Sequence, residues 1–402
     1  MLPEGWRTVK MVDILEKEVR PLQVEPHALY TEIGIRSHGR GVFHKEPALG
    51  AEIGEKRVFQ VVENALVLNI VFAWEQAVAL TTQRDVGKIA SHRFPMYRPR
   101  SNACELRFVF RYLMSPRGKE LLDLASPGGA GRNRTLGQRA FDSIPIPCPP
   151  IEEQSRIADV LQVWDEAISV ARALSAKTRQ EAELIREKLL QGVMKFKAVP
   201  LADVAEVRTG LAKGKRQLGT RIEVPYLRVA NVQDGRLDLT EVKTIEISPE
   251  QLPRYALMPG DVLMTEGGDF DKLGRGTVWN GEIENCLHQN HVFAVRPKQD
   301  QACSGYLAAI AASDYGRTYF LSCAKRSTNL ASINSTQLRA LPVPVVPLSE
   351  QKRIAAVIDS ALQAAHASAS LVDLLNTEKL TLTADLLAGR RRFAQDRQGE
   401  TS

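Results

Sequence analysis

The chain is poor in cysteine, and no two cysteines stand at a metal-binding spacing. Cys104, Cys148, Cys286, Cys303 and Cys323 are scattered through 402 residues with no C-x-x-C pair. That argues against a structural zinc site, and an odd count of unclustered thiols suits a reducing compartment. Long apolar runs are missing too. The most apolar stretch, Ala65 to Trp74, is interrupted by Asn69 and falls well short of the roughly 20 residues that span a bilayer. The opening Met1-Leu2-Pro3-Glu4-Gly5-Trp6 has no basic segment followed by an apolar one, so no secretory leader is expected. These absences predict a cytoplasmic protein with no membrane partner and no metal of its own.

Catalytic signatures are absent as well. Gly210-Leu211-Ala212-Lys213-Gly214-Lys215 is one residue short of a phosphate-binding loop and lacks its hydroxyl residue. Pro127-Gly128-Gly129-Ala130-Gly131 follows no clear strand, which argues against a dinucleotide fingerprint. There is no H-E-x-x-H, no G-x-S-x-G and no Asn-Pro-Pro-aromatic methyltransferase motif. His288 and His291 stand without nearby cysteine or carboxylate ligands at metal spacing, so a polar-loop role is expected for them. The chain reads as a binder and not as an enzyme.

What the chain does have is a long internal repeat. Ile144-Pro145-Ile146-Pro147 leads into Ile151-Glu152-Glu153-Gln154-Ser155-Arg156-Ile157-Ala158; Leu341-Pro342-Val343-Pro344 leads into Leu348-Ser349-Glu350-Gln351-Lys352-Arg353-Ile354-Ala355. Gln154 and Gln351 are 197 positions apart, and so are Gly192 and Gly389. A repeat this long reports architecture before any local motif does. Within each copy the apolar or small positions step alternately by four and three. They are Ile157, Leu161, Trp164, Ile168, Ala171, Ser175, Thr178, Ala182, Ile185, Leu189 and Gly192, then Ile354, Ile358, Ala361, Ala365, Ser368, Val372, Leu375, Lys379, Leu382, Leu386 and Gly389. This is the seam of a coiled coil, not the broader face of a helix lying on a globular core. Glu152, Glu153 and Glu350 complement the positive helix starts, and Lys195 and Arg390 to Arg392 complement the negative ends. Two helices in one chain can pair with each other, most simply antiparallel. Lys379 breaks the pattern, standing where the first copy has Ala182; it is expected at the seam edge or against a further partner.

The segments 1–144 and 199–341 resemble each other only weakly. Each has a short helix-like stretch near its start (Val9 to Ile14, Pro200 to Val204), then strand-like runs broken by Gly, Pro and Asn turns. Examples of these runs are Arg57 to Val62, Ala65 to Phe72, Tyr226 to Val229, Asp261 to Met264 and His291 to Val295. Each segment closes with two helices, Cys104 to Leu113 with Gly118 to Leu124, and Ser304 to Ile310 with Tyr315 to Leu321. The fold expected is therefore α+β: two pseudo-symmetric mixed α/β domains separated by a long antiparallel two-helix coiled coil. The boundaries are 1–144, a spacer helix over 145–198, a second domain over 199–341, a second spacer over 342–393 and a polar tail over 394–402.

Charge narrows the partner. Residues 1–150 hold 21 Lys and Arg against 16 Asp and Glu, which accounts for nearly all of the net +6. A pI near 9.0 favours a polyanion. The loops carry the donors and acceptors that base edges match, Arg to guanine and Asn or Gln to adenine. In the first domain the candidates are Arg36, Ser37, His38, Arg40, His44, Lys45, Gln76, His92, Arg93, Arg132, Asn133 and Arg134. In the second they are Lys213, Lys215, Arg216, Arg228, Asn231, Gln233, Asp269, Lys272, Arg275, Asn290, His291, Lys325, Arg326 and Asn329. Residues that do touch DNA will hold phosphates more often than bases.

The doubled Pro-x-Pro lead, the Glu-Gln-x-Arg-Ile-Ala start and the Leu-Leu-x-Gly finish with Phe196 and Phe393 resemble the specificity subunit of type I restriction–modification systems. Ile33-Gly34-Ile35-Arg36 with Gly41-Val42-Phe43, and Tyr226-Leu227-Arg228-Val229-Ala230-Asn231-Val232, extend the likeness over nearly the whole chain. The resemblance implies two target-recognition domains, each reading half of a bipartite double-stranded DNA site. It implies two modification subunits and two restriction subunits as partners, with S-adenosylmethionine, ATP and Mg bound in those partners and no cofactor in this chain. A coiled-coil scaffold, a DNA-targeting subunit of a methylation-only or other defence complex, and a stand-alone nuclease are the alternatives.

Overall fold

The computed structural model describes residues 2–128, 134–212, 220–268, 273–326 and 331–393. The seam pattern does form two long helices, Ile151–Gln191 and Leu348–Leu387, of 41 and 40 residues. At about 1.5 Å per residue each is about 60 Å long. Every seam position from Ile157 to Leu189 is buried or half-buried, as is every one from Ile354 to Gly389; Gly192 alone is exposed. Residues flanking the seam, such as Val163, Val170, Leu371 and Leu380, face solvent. The Pro-rich leads are strands, as extended backbone before each helix requires. Pro145–Cys148 pairs antiparallel with Arg7–Lys10, and Pro342–Pro344 with Ala198–Pro200.

The chain divides into two compact units, residues 1–170 with 373–402, and residues 171–372. Each unit therefore takes one globular segment and one end of each long helix. Within the first unit the helices run antiparallel: Arg392 pairs with Glu153, and Lys379 with Asp165. Twelve residues forward on one helix is matched by thirteen back along the other chain segment. Ile157, Leu161, Leu386 and Leu387 join the first core. Leu190, Val193, Ile354 and Ile358 join the second.

The two frames share one topology. In the first, a four-stranded sheet runs in the order Val78–Leu80, Leu66–Leu68, Met96–Pro99, Leu15–Glu18. In the second, read from its opposite edge, the order is Gly276–Val278, Val262–Thr265, Val292–Pro297, Ala205–Thr209. All neighbours are antiparallel. A helix pair covers each sheet: Leu106–Met114 with Pro116–Leu124, and Ser304–Ala312 with Asp314–Cys323. Ser115 and Ser313 cap the second helix of each pair by accepting from the N–H of Gly118 and Gly316. A Cβ on Gly118 would lie 2.2 Å from the Tyr112 carbonyl oxygen, and one on Gly316 2.3 Å from that of Ile310. Ser-x-x-Gly is thus needed at both sharp helix–helix corners. The short helices predicted near the start of each segment are Met11–Ile14 and Leu201–Val204. Among the described residues no helix is long and apolar enough to cross a membrane.

Candidate nucleic-acid interface

Gln154 and Gln351 tie the long helices to their frames by the same two contacts. Each side-chain oxygen accepts a backbone N–H from the start of the first covering helix, Glu105 at 2.9 Å and Cys303 at 3.1 Å. Each side-chain nitrogen donates to the carbonyl five residues back, Pro149 at 2.9 Å and Val346 at 3.0 Å. Both amides are nearly inaccessible, at 1% and 3% exposure. Their remaining donor bonds differ: Gln154 reaches the Cys148 Sγ and Gln351 the Gln301 carbonyl. A buried amide with several partners is a fixed joint, because leaving its partners unpaired is costly.

On the first frame the polar loop residues gather around the single turn Ala73–Glu75. The Ser37 hydroxyl donates to the Glu75 carboxylate at 2.8 Å. The His38 N–H donates to the Glu75 carbonyl, and the Gly39 N–H to that of Gln76. His38 and Gly39 both have positive φ, and a Cβ on Gly39 would lie 2.7 Å from the Met114 methyl. A side chain there would be strained by the positive φ and would displace the end of Met114. Arg36 lies over the Phe43 ring at 4.8 Å, and Arg40 Nε donates to the Ser37 carbonyl. Arg36, His38 and Arg40 are all exposed on this braced loop.

Arg134 stacks over Trp74 at 5.1 Å and is also held by Asp123 and by the Ser126 and Asp123 carbonyls. Exposed His92 and Arg93 border the same place. The Ile70 N–H donates to the Arg93 carbonyl, and the Ile70 carbonyl accepts from Leu136. His44 and Lys45 are instead paired with carboxylates, Asp85 at 2.8 Å and Glu32 at 3.1 Å. Burial pushes the Asp85 carboxyl up, but the hydrogen bonds from His44 and from the Thr82 N–H and hydroxyl outweigh it and leave it below the usual range.

Gln76 is corrected from a base-reading candidate to a structural residue. It is 7% exposed and donates to the Leu113 carbonyl at 2.9 Å, joining the turn to the end of a covering helix. Asn231 is corrected in the same way. At 3% exposure it accepts the Arg228 N–H and donates to the carbonyls of Asp238 and Glu241. His288, expected in a polar loop, is buried with Nδ1 2.6 Å from the Val292 carbonyl oxygen. Burial pulls its pKa below the ordinary imidazole value.

On the second frame Arg275, Asn290, His291 and Lys325 border the segment Thr265–Gly268. The Asn290 N–H donates to the Leu211 carbonyl, the Gln289 N–H to Leu227, and the Glu266 N–H to His291. His291 Nδ1 pairs with the Glu266 carboxylate, and Asn290 lies beside the same ring. Gly267–Gly268, Ala331–Ser332 and Lys325–Arg326 form a small sheet here, with Lys325 opposite Ser332. The Thr265 N–H donates to the Arg275 carbonyl. Arg228 pairs with Glu241 at 3.4 Å, and Gln233 donates to the Ala230 carbonyl. Arg132, Asn133, Lys213, Lys215, Arg216, Asp269, Lys272 and Asn329 lie outside the described residues.

The acidic partners Asp85, Glu32 and Glu241 escaped the sequence reading. Thr82-x-x-Asp85, a capping pattern, was the one local signal that could have found Asp85. Burial pushes the Cys104 and Cys286 thiols up to about 12, which removes them as nucleophiles. Among the described residues no group of three or more His, Cys, Asp or Glu could hold a metal ion.

The family model described as the type I restriction modification DNA specificity domain matches twice, over residues 3–178 and 194–368. A putative type I restriction enzyme MjaX specificity subunit from Methanocaldococcus jannaschii is 32% identical over 160 residues, 39% of this chain and 37% of that protein. The type I restriction enzyme EcoKI specificity subunit of Escherichia coli is 25% identical over 245 residues, 56% of this chain and 52% of that protein. The chain thus spans about a third to a half of the length of these curated relatives. The HsdS subunit structure from Thermoanaerobacter tengcongensis shares the fold, with a TM-score of 0.54 at 21% identity, covering 97% of this chain and 98% of that one.

Proposed function

The chain belongs to the family of the type I restriction modification DNA specificity domain, and on that premise we propose that it is the DNA-reading subunit of a type I restriction–modification complex. It recognises a bipartite duplex site, one half through each frame, and docks the modification and restriction subunits. The observation that carries this reading is repetition without identity. Both frames have the same sheet order, the same Ser-x-x-Gly corner and the same glutamine joint, yet their exposed loops bear unrelated polar residues. Equal scaffolds with unlike loops suit two different half-sites. Linking two modest readers makes the second contact intramolecular and sharpens selection of the joint site.

On the first frame Arg36, His38, Arg40, Arg93 and Arg134 supply the contacts, and on the second Arg228, Asn290, His291 and Lys325 do so. The stacked Arg36 and Arg134 present planar forks suited to guanine or phosphate. The chain performs no chemistry itself. S-adenosylmethionine, ATP and Mg belong to the partner subunits, and the complex works in the cytoplasm.

Selection of binders from random duplexes by the assembled complex tests the reading. The expected result is two short constant blocks around an unread stretch of fixed length, with binding that falls steeply as salt rises. Exchange of residues 1–144 for those of another family member changes one block only. A single contiguous site, or no sequence preference, overturns the proposal.

A further inference from the structure

An open groove of about 490 Å³ lies in the second unit where the end of the first long helix meets the start of the second. Its walls include Gly192, Lys195, Phe196, Pro347, Glu350 and Arg353. Through the 197-residue repeat, Gly192, Lys195, Pro347 and Glu350 correspond to Gly389, Arg392, Pro150 and Glu153 of the first unit. There, all four approach the segment Pro3-Glu4-Gly5-Trp6. A Cβ on Gly389 would lie 2.3 Å from the Pro3 ring, and one on Gly5 would lie 3.8 Å from the Pro150 ring. Arg392 donates to the Glu4 carbonyl and forks onto Glu153, which also accepts from the Trp6 indole N–H at 3.1 Å.

The second unit has the seat without a separate occupant. A Cβ on Gly192 would meet nothing within 4 Å except the Leu189 carbonyl of its own helix end. Phe196 precedes its strand as Trp6 does: the Phe196 N–H donates to Val193 as that of Trp6 donates to Pro3. The outcome differs, for Trp6 is 7% exposed and Phe196 46%. The first seat holds two aromatics, Trp6 and the partly buried Phe393; the second holds Phe196 alone. The carboxylate of the second seat, Glu350, is forked by Arg353 through Nε at 2.8 Å and Nη2 at 2.7 Å, as Glu153 is by Arg392 in the first. Exposed aromatic surface beside such a pair and further cations is the composition of an anchor pocket.

We propose that this groove docks one proline-led, acidic, tryptophan-bearing segment of a partner protein, taken up once per chain because the matching seat of the first unit is already filled. The chemistry of the occupant follows from what fills the counterpart. An indole N–H meets the Glu350 carboxylate, a ring packs on Phe196 and Pro347, and an acidic side chain or carbonyl meets Lys195 and Arg353. Lys195, held over the Phe196 ring at 5.6 Å, leaves the groove cationic enough to favour a residue such as Glu4.

The probe is a dye-labelled Leu-Pro-Glu-Gly-Trp peptide titrated onto the full chain by fluorescence polarisation. Saturable binding is expected, with about tenfold loss in Glu350→Gln, where a hydrogen bond to a charge becomes one to a neutral amide. Gly192→Leu, which fills the groove, abolishes binding while circular dichroism stays unchanged. Phe196→Ala removes the wall and weakens binding without depending on how the first variant folds. Absence of saturable binding, or binding that survives Gly192→Leu and Phe196→Ala, overturns the proposal. So does concentration-dependent self-association of the chain that is lost in Trp6→Ala, which makes a second copy the occupant.

Discussion

Lys379 forms an ion pair with Asp165 across the helices of the first unit, and Asp165 also receives Arg111 from a covering helix. The sequence marks Lys379 as the misfit of the seam; the structure makes it one arm of a bridge from helix to helix to frame. The Lys379 and Asp165 side chains are 22% and 41% exposed, so the pair is worth about 0–1 kcal/mol. Lys379→Met, which keeps the stem and makes the seam apolar, is expected within about 0.5 kcal/mol of the parent. Asp165→Lys places three cations together and costs about 1–2 kcal/mol. Urea unfolding of the full chain compares the two variants. Equal losses would remove the bridge from the account.

Gln154 and Gln351 make matched joints, so their substitutions have matched effects. Gln154→Leu leaves the Glu105 N–H without its partner, and Gln351→Leu does the same to Cys303. Each is expected to cost about 1–3 kcal/mol, the penalty for stranding a buried polar group. Hydrogen exchange locates the damage: loss of protection at residues 105–109 for the first variant and 303–307 for the second. Unchanged protection in both would mean that the joints are ornamental.

His288 gives the second unit a dependence on acid. Burial is the leading cause of its depressed pKa, so the folded chain holds it neutral while the unfolded chain protonates near 6.5. The unfolded state then binds the extra proton in the window below 6.5, and stability falls as pH drops through that window toward the folded value. His288→Gln is expected to flatten the loss of stability between pH 7 and pH 5, read as the shift of the urea midpoint. A slope as steep as the parent's assigns the effect elsewhere.

The helices and the frame were legible, and the burden of each loop residue was not. Heptad spacing needs no distant information, so the steps from Ile157 to Leu189 and from Ile354 to Leu386 locate both rods and their seams. Strand runs such as Asp261 to Met264 are marked by their own apolar residues and flanking turns. Gln76 and Asn231 show the limit. A loop glutamine is identical in sequence whether it meets solvent or, as here, the Leu113 carbonyl 37 residues away. Long-range burial decides between those fates, and local composition does not record it. The same holds for Arg134, whose stacking on Trp74 depends on segments 60 residues apart.

Glu75 braces the loop that carries Arg36, His38 and Arg40 by accepting from the Ser37 hydroxyl and the His38 N–H. Glu75→Ala removes the side-chain brace and keeps the backbone bond. Under the proposed function it lowers affinity for the half-site read by the first frame by about tenfold, one charge-assisted hydrogen bond. Selectivity at the other half-site stays as it was. Competition binding with duplexes altered in one block at a time measures both. A loss spread equally over the two blocks would show that the loop does not serve one half-site.

If the helices set the separation of the half-sites, one heptad removed from each must shorten it while keeping the seams in phase. Asp165 facing Lys379 fixes the pairing, so deleting residues 169–175 and 369–375 removes facing stretches, and Ile168 is then followed by Thr178, and Ser368 by Lys379, as the next seam positions. Seven residues at about 1.5 Å each shorten the rods by about 10 Å, which corresponds to about three base pairs of duplex at 3.4 Å per step. The bases read in each block are expected to stay the same, while the number of unread pairs between them falls. Duplexes with graded spacers, competed against the parental site, give the answer. A variant that folds, reads both blocks and still prefers the parental spacer shows that something other than helix length sets the distance.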